Sequence, residues 1–158
     1  MRVGLTLLAL WAAAAVCAQP ADAPLDLASF PRTELIVRSP GPPAATHRFH
    51  VWVADTPARA AQGLMFVSDL PPSEGMVFPL EPPRVENMWM KNTYIELDML
   101  FIAGDGRVVK ILEHAVPLSL TTLSSEVPVA AVLELRGGSV QALGLKLHDR
   151  VSWQKPPR

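Results

Sequence analysis

The run Leu97-Asp98-Met99-Leu100-Phe101-Ile102, followed by Gly104-Asp105-Gly106 and then Arg107 to Leu112, constrains the fold more than any other part of the chain. A run that is apolar on both faces, apart from one acid, predicts a central strand covered on both sides. Glycine takes positive φ without steric cost, so the Gly-Asp-Gly stretch predicts a tight turn and the following run its hairpin partner. Such a strand needs neighbours, and the sequence supplies them. From Arg48, the side chains of Phe49, Val51 and Val53 alternate with Arg48, His50 and Trp52, the period-two pattern of a half-buried strand. Thr33 to Arg38, Gly75 to Phe78, Val85 to Met90, Val129 to Leu135 and Val151 to Trp153 are further short strand-like runs. Pro79, Pro82 and Pro83 separate two of them, because proline cannot donate to a central ladder. Leu118 to Ser125 reads as a polar connection and Gly137-Gly138 as a turn.

One segment reads as a helix. Thr56 is placed to accept a free N–H as N-cap, Pro57 stands at the first helical position where its missing N–H costs nothing, and Gly63 closes the segment in a left-handed position. The fold class expected is therefore mainly β: a single-domain β-sandwich or barrel-like (jelly-roll-like) fold over residues 33–154, one short helix near residues 57–62, and a tail at 155–158.

The amino terminus is of a different kind. Arg2 precedes an apolar run from Val3 to Val16, and Val16-Cys17-Ala18 follows, which is the order of a secretory signal peptide over residues 1–18 with the mature chain starting at Gln19. The run is shorter than the roughly 20 residues that span a bilayer, and none of that length follows, so no transmembrane span is expected in the mature chain. Cys17, the single cysteine, stands where a lipoprotein would be acylated; the branched Val16 before it favours release over anchoring. Cleavage leaves a cysteine-free chain without disulfides or thiol chemistry, periplasmic or extracellular in location. Residues 19–32, with Pro20, Pro24 and Pro31, read as a flexible leader.

Composition narrows the function classes. Loss of Arg2 moves the formal charge of the chain from −1 to −2, which predicts no nucleic-acid partner. His47, His50, His114 and His148 lack metal-ligand spacing, and neither a nucleophile elbow nor a phosphate-binding glycine loop is present, so no cofactor is expected.

The residues able to carry chemistry are few. Asp98 shares a strand face with Leu100 and Ile102, and a carboxylate flanked by core must find a cation or a backbone donor; Arg59, Lys91 and the Asn92-Thr93 turn are candidates. Glu134, on a face with Val132 and Arg136, could be the second carboxylate of a hydrolytic pair with Asp98. Asn87, Trp89 and Lys91 alternate with Met88 and Met90, which puts an apolar ring beside hydrogen-bonding groups, a plausible surface for a sugar or peptide. Met65, Met76, Met88, Met90 and Met99 admit a copper(I) reading through thioether ligands, with Met88 and Met90 spaced for one strand face, although methionine also fills apolar cores.

Several of these residues also carry a resemblance. Val53-Ala54-Asp55-Thr56 with Arg59, Gly63-Leu64-Met65, Gly75-Met76-Val77-Phe78, Met88-Trp89-Met90-Lys91-Asn92-Thr93, Leu97-Asp98, Phe101-Ile102, Gly106 and Val132-Leu133-Glu134-Leu135 resemble the prokaryotic family known as domain of unknown function 192, over about residues 48–152. The resemblance implies a β-rich, jelly-roll-like fold in an exported or membrane-anchored protein and no established activity, so it supplies no catalytic set. The first expectation is thus a non-catalytic envelope domain that binds a small molecule, glycan or protein through Trp89, Lys91, Asn92 and Thr93. The alternative is a hydrolase or lyase using Asp98 with Glu134 or Arg59, and the third is copper(I) handling.

Overall fold

The computed structural model describes residues 23–41 and 43–154; residues 1–18, read above as a signal peptide, with Cys17, and the 155–158 tail lie outside the described residues. Strands β1 (Arg32–Ser39), β2 (Ala45–Val53), β3 (Glu74–Arg84), β5 (Leu97–Ile102), β6 (Val108–Ala115), β8 (Val129–Arg136) and β9 (Arg150–Trp153) form one sheet. Its order is β6-β5-β8-β3-β2-β1-β9. Strands β4 (Asn87–Met88) and β7 (Leu123–Ser124) make a separate two-stranded ribbon. Helix α1 (Pro57–Gln62) carries the chain from β2 to β3, and these two strands run parallel, as a helical crossover allows; the other pairings are antiparallel.

One face of the sheet gathers Leu35 and Val37 of β1, Phe49 and Val51 of β2, Leu100 of β5, Val108 of β6, Leu133 and Leu135 of β8 and Val151 of β9 into one buried cluster. Strands from both ends of the sheet meet in it, so the sheet curls around this core. The opposite face buries Met76 and Phe78 of β3, Met99 and Phe101 of β5 and Val132 of β8 under Leu64, Leu70, Met90 and Phe30. The mainly β reading holds, and the sheet is not closed into a barrel: its edges touch at one corner, through a bridge between Arg107 and Arg150 and an N–H of Val151 donated to the carbonyl of Gly106 at 2.8 Å.

The short helix forms where its punctuation predicts. Thr56 accepts from the Arg59 N–H at 3.3 Å, Pro57 opens α1, and Gly63 ends it with φ of 52°. Three features differ from the sequence reading. A second helix, α2 (Ser139–Leu143), follows directly on the expected Gly137-Gly138 turn where no helix was read; Gly138 is its N-cap and contributes no side-chain bond. Pro79, Pro82 and Pro83 lie within β3, because β2 pairs with β3 only as far as Val77 and the β8 register shifts between Pro79 and Arg84, so these prolines face no complete ladder. The segment before β1 is also attached where a flexible leader was expected: Leu27–Ser29 form a 3-10 turn capped by Asp26, Phe30 is buried, and the Leu25 backbone exchanges two hydrogen bonds with the Gln62 side chain.

Candidate functional site

The two acids proposed as a pair are separated by the sheet itself. In the β5–β8 ladder Asp98 stands opposite Leu135, whereas Glu134 stands opposite Met99, so the two carboxyls project from opposite faces. Asp98 is fully buried and accepts from the N–H of His114 at 3.0 Å and of Val140 at 2.8 Å. Val140 lies in the first turn of α2, so Asp98 acts as the N-terminal cap that Gly138 does not provide. Its partners are therefore backbone amides. Arg59, the other proposed partner, donates to Asp55 at 2.6 Å and to the Ser29 carbonyl at 2.9 Å and lies over the Phe30 ring, tying α1 to the segment before β1. The hydrolase or lyase built on Asp98 with Glu134 or Arg59 has no geometry to support it.

Glu134 is different. It is 4% exposed, its Oε2 has no hydrogen-bond partner, and its cross-strand neighbours Met76 and Met99 are fully buried thioethers. Burial without a cation pushes its carboxyl up to about 8, so the group keeps its proton at neutral pH. Close packing holds it there. A Cβ on Gly75 would lie 2.4 Å from the Glu134 carbonyl oxygen, so β3 and β8 approach in a way only glycine permits.

Glu134 lines a cleft of about 320 Å³ between α1, β3 and the ribbon. Gly63, Leu64, Met65, Phe78, Leu80, Asn87, Met88, Trp89 and Thr93 also line it, and the Arg84–Glu86 ion pair, at 2.8 Å, contributes its only other charges. Trp89 is 51% exposed, with the Lys91 ammonium 5.4 Å from its ring centroid. Thr93 is buried in the wall, its hydroxyl donating to the Lys91 carbonyl at 3.3 Å, and Asn92 holds φ of 54°. Met88 and Met90 do not share an open face: Met88 borders the cleft, whereas Met90 is fully buried in the apolar cluster. Among the described residues, no three His, Cys, Asp or Glu side chains gather where they could hold a metal ion.

Beside the cleft runs an apolar rim that sequence reasoning missed. Phe66 and Tyr94 are both exposed and meet edge to face with ring centroids 6.2 Å apart. Leu118 and Leu120 are exposed on the loop that donates its Leu118 N–H to the Thr93 carbonyl at 3.1 Å and accepts the Met90 N–H at the Ser119 carbonyl at 3.0 Å. Phe66 and Leu118 adopt φ of 67° and 62°, a conformation costing a bulky L-residue about 1–2 kcal/mol. Glu86 was missed as well. Nothing local in the sequence marks these positions; their roles come from loops that pack together.

Comparison with known proteins agrees with this architecture. A family model described as "Uncharacterized ACR", domain of unknown function 192, matches residues 41–153. The chain belongs to this family. A crystal structure from Sinorhizobium meliloti, described as a "putative transcription regulator", is similar with 41% identity and a TM-score of 0.76, covering 79% of this chain and 95% of that one. A protein of unknown function from Novosphingobium aromaticivorans is similar with 39% identity and a TM-score of 0.73, covering 77% of this chain and 85% of that one. No curated protein matches. The cleft-lining residues, among them Gly63, Leu64, Met65, Trp89, Thr93 and Glu134, all fall within the matched residues 41–153.

Proposed function

We propose that this is an exported, non-catalytic binding domain of the cell envelope whose ligand occupies the Glu134 cleft, with Trp89, Lys91 and the Asn92-Thr93 turn at its mouth. The observation that carries the reading is Glu134: a fully buried carboxyl facing a cleft with an unpartnered oxygen. An unsatisfied buried polar group costs about 1–3 kcal/mol, a cost that a ligand hydrogen bond removes. The exposed Trp89 ring supports it, since a wholly buried indole would leave no contact surface. The Sinorhizobium relative is described as a transcription regulator, but nucleic-acid binding finds no electrostatic footing in a chain of formal charge −1.

Ligand-observed NMR against a fragment library tests binding. Hits whose affinity falls with Trp89→Ala and with Glu134→Leu support the cleft; a library yielding no hit sensitive to either variant overturns it. Export is tested by the intact mass of protein from its native cells. A chain starting at Gln19 supports release, a diacylglyceryl mass at Cys17 supports anchoring, and a chain starting at Met1 overturns export.

One observation favours a second reading. Glu86 and Glu134 line the same cleft in opposed settings, Glu86 beside the Arg84 cation and Glu134 without one. Two carboxyls in contrasting environments are the arrangement from which a general acid and a general base are assigned. Turnover of a panel of glycosides and esters that is abolished by both Glu86→Gln and Glu134→Gln would establish this reading, and absence of turnover removes it.

A further inference from the structure

We propose that the Glu134 cleft selects an uncharged ligand through a carbonyl or hydroxyl oxygen, with the Glu134 carboxyl donating its O–H, and discriminates against ammonium and carboxylate analogues of the same shape. The inference rests on the cleft being a binding site and adds the chemistry that its walls can recognise.

Three features lead to it. Glu134 is approached from β3 and β5 by Met76 and Met99, which bring no charge, and its Oε2 has no partner. The only other charged groups on the lining, Arg84 and Glu86, are paired at 2.8 Å, so neither is free to receive a ligand's charge without breaking that bridge. Leu64, Phe78, Leu80 and Met88 give the wall an apolar face, the uncharged amides of Gln62, bonded to the Leu25 backbone, and Asn87 join it, and the Thr93 hydroxyl is already engaged by the Lys91 carbonyl. In such surroundings burial pushes the pKa of the carboxyl up to about 8, so it retains its proton and presents one donor to the cleft.

A cationic ligand would require Glu134 to ionise and two charges to be desolvated together, a penalty that their attraction often fails to recover. An anionic ligand hydrogen-bonded to Glu134 would sit among largely apolar side chains beside Glu86, with no unpaired cation on the lining and the Lys91 ammonium held outside it over the Trp89 ring. An uncharged oxygen acceptor on a compact apolar body meets neither penalty, and the cleft, at about 320 Å³, has the volume of the smaller ligand sites.

The test uses three probes of nearly one shape: isobutyramide, isobutylammonium and isobutyrate, titrated into protein carrying carboxyl-labelled glutamate. The expected result is that isobutyramide alone perturbs the Glu134 resonance, in the millimolar range, and raises its titration midpoint because it binds the protonated form. Glu134→Gln, which keeps a donor, should bind isobutyramide with no pH dependence. Glu134→Leu should lose about tenfold, the worth of one hydrogen bond to a buried group. Binding of isobutylammonium with equal or greater affinity and a lowered midpoint overturns the inference while leaving the cleft a binding site, as does preference for isobutyrate. If none of the three perturbs Glu134 although fragments bind in the cleft, the inference falls; if fragments also fail, the binding reading falls with it.

Discussion

The amide of Phe66 donates to the carbonyl of Asn92 at 2.8 Å, and both residues hold left-handed backbone conformations, with φ of 67° and 54°. Asn92 in turn offers its side-chain amide to the Met65 sulfur at 3.8 Å. The loop after α1 and the turn after Trp89 are thus fixed to each other on both sides of the cleft mouth. Strain of this kind persists only where the surroundings over-determine it, and here the backbone bond holds an aromatic ring outward instead of letting it fold into the core.

Replacing Phe66 separates strain from contact. Phe66→Gly relieves the left-handed cost but forfeits the edge-to-face contact with Tyr94 and raises unfolded-state entropy, so its unfolding free energy should stay within about 1 kcal/mol of the parent. Phe66→Ala retains the strain and loses the ring, and should be about 1 kcal/mol less stable. Urea unfolding of both variants checks the order.

Asp98 should behave as a structural residue. Asp98→Ala leaves the His114 and Val140 N–H groups without their acceptor and is expected to cost about 3 kcal/mol, while a ligand bound in the Glu134 cleft should hold its affinity in whatever fraction folds. Calorimetry with parallel binding measurements distinguishes this from a catalytic role.

Glu134 gives stability a distinctive pH dependence. Its carboxyl titrates near 4.5 when unfolded and at about 8 when folded, so between these values the folded chain holds the extra proton. Its contribution is therefore most favourable below about 4.5, declines as pH rises, and levels off above about 8. Glu134→Gln removes this slope. It should exceed the parent in stability at about pH 9 by an amount on the order of a few kcal/mol, a gain that shrinks towards pH 5. Denaturation midpoints measured across that range would refute the assignment if the two proteins ran parallel.

Gly75 admits no side chain. Gly75→Ala would press a methyl against the Glu134 carbonyl at 2.4 Å and the Leu135 side chain at 2.9 Å, forcing the central β3–β8 pair apart at a cost of about 3 kcal/mol. A thermal melt unchanged from the parent would show that the two strands can separate freely.

What the sequence discloses follows the range of the interactions. The β5–β6 hairpin and α1 are legible because their determinants are neighbours in the chain: an apolar run with Gly104-Asp105-Gly106 in one case, Thr56, Pro57 and Gly63 in the other. Helix α2 is not, because its cap comes from Asp98, which lies 42 residues before Val140. Trp89, Lys91 and Thr93 could be nominated from alternation and residue type. The isolation of Glu134 from any cation could not, since it depends on Met76 and Met99 arriving from two other strands. For the same reason Asp98 and Glu134 invite pairing in sequence, and only the β5–β8 register reveals the sheet between them.

The position of β9 bears on the order of assembly. It pairs with β1, Leu35 opposite Trp153 and Val37 opposite Val151, so the first strand of the described chain gains its outer neighbour from the last. On a chain emerging from the ribosome, that edge of β1 stays open until Trp153 has been made, and an open edge bearing apolar residues is a template for a second molecule. Nascent or truncated chains ending before Arg150 should therefore recruit one another through β1, whereas a chain that includes β9 covers the same edge itself.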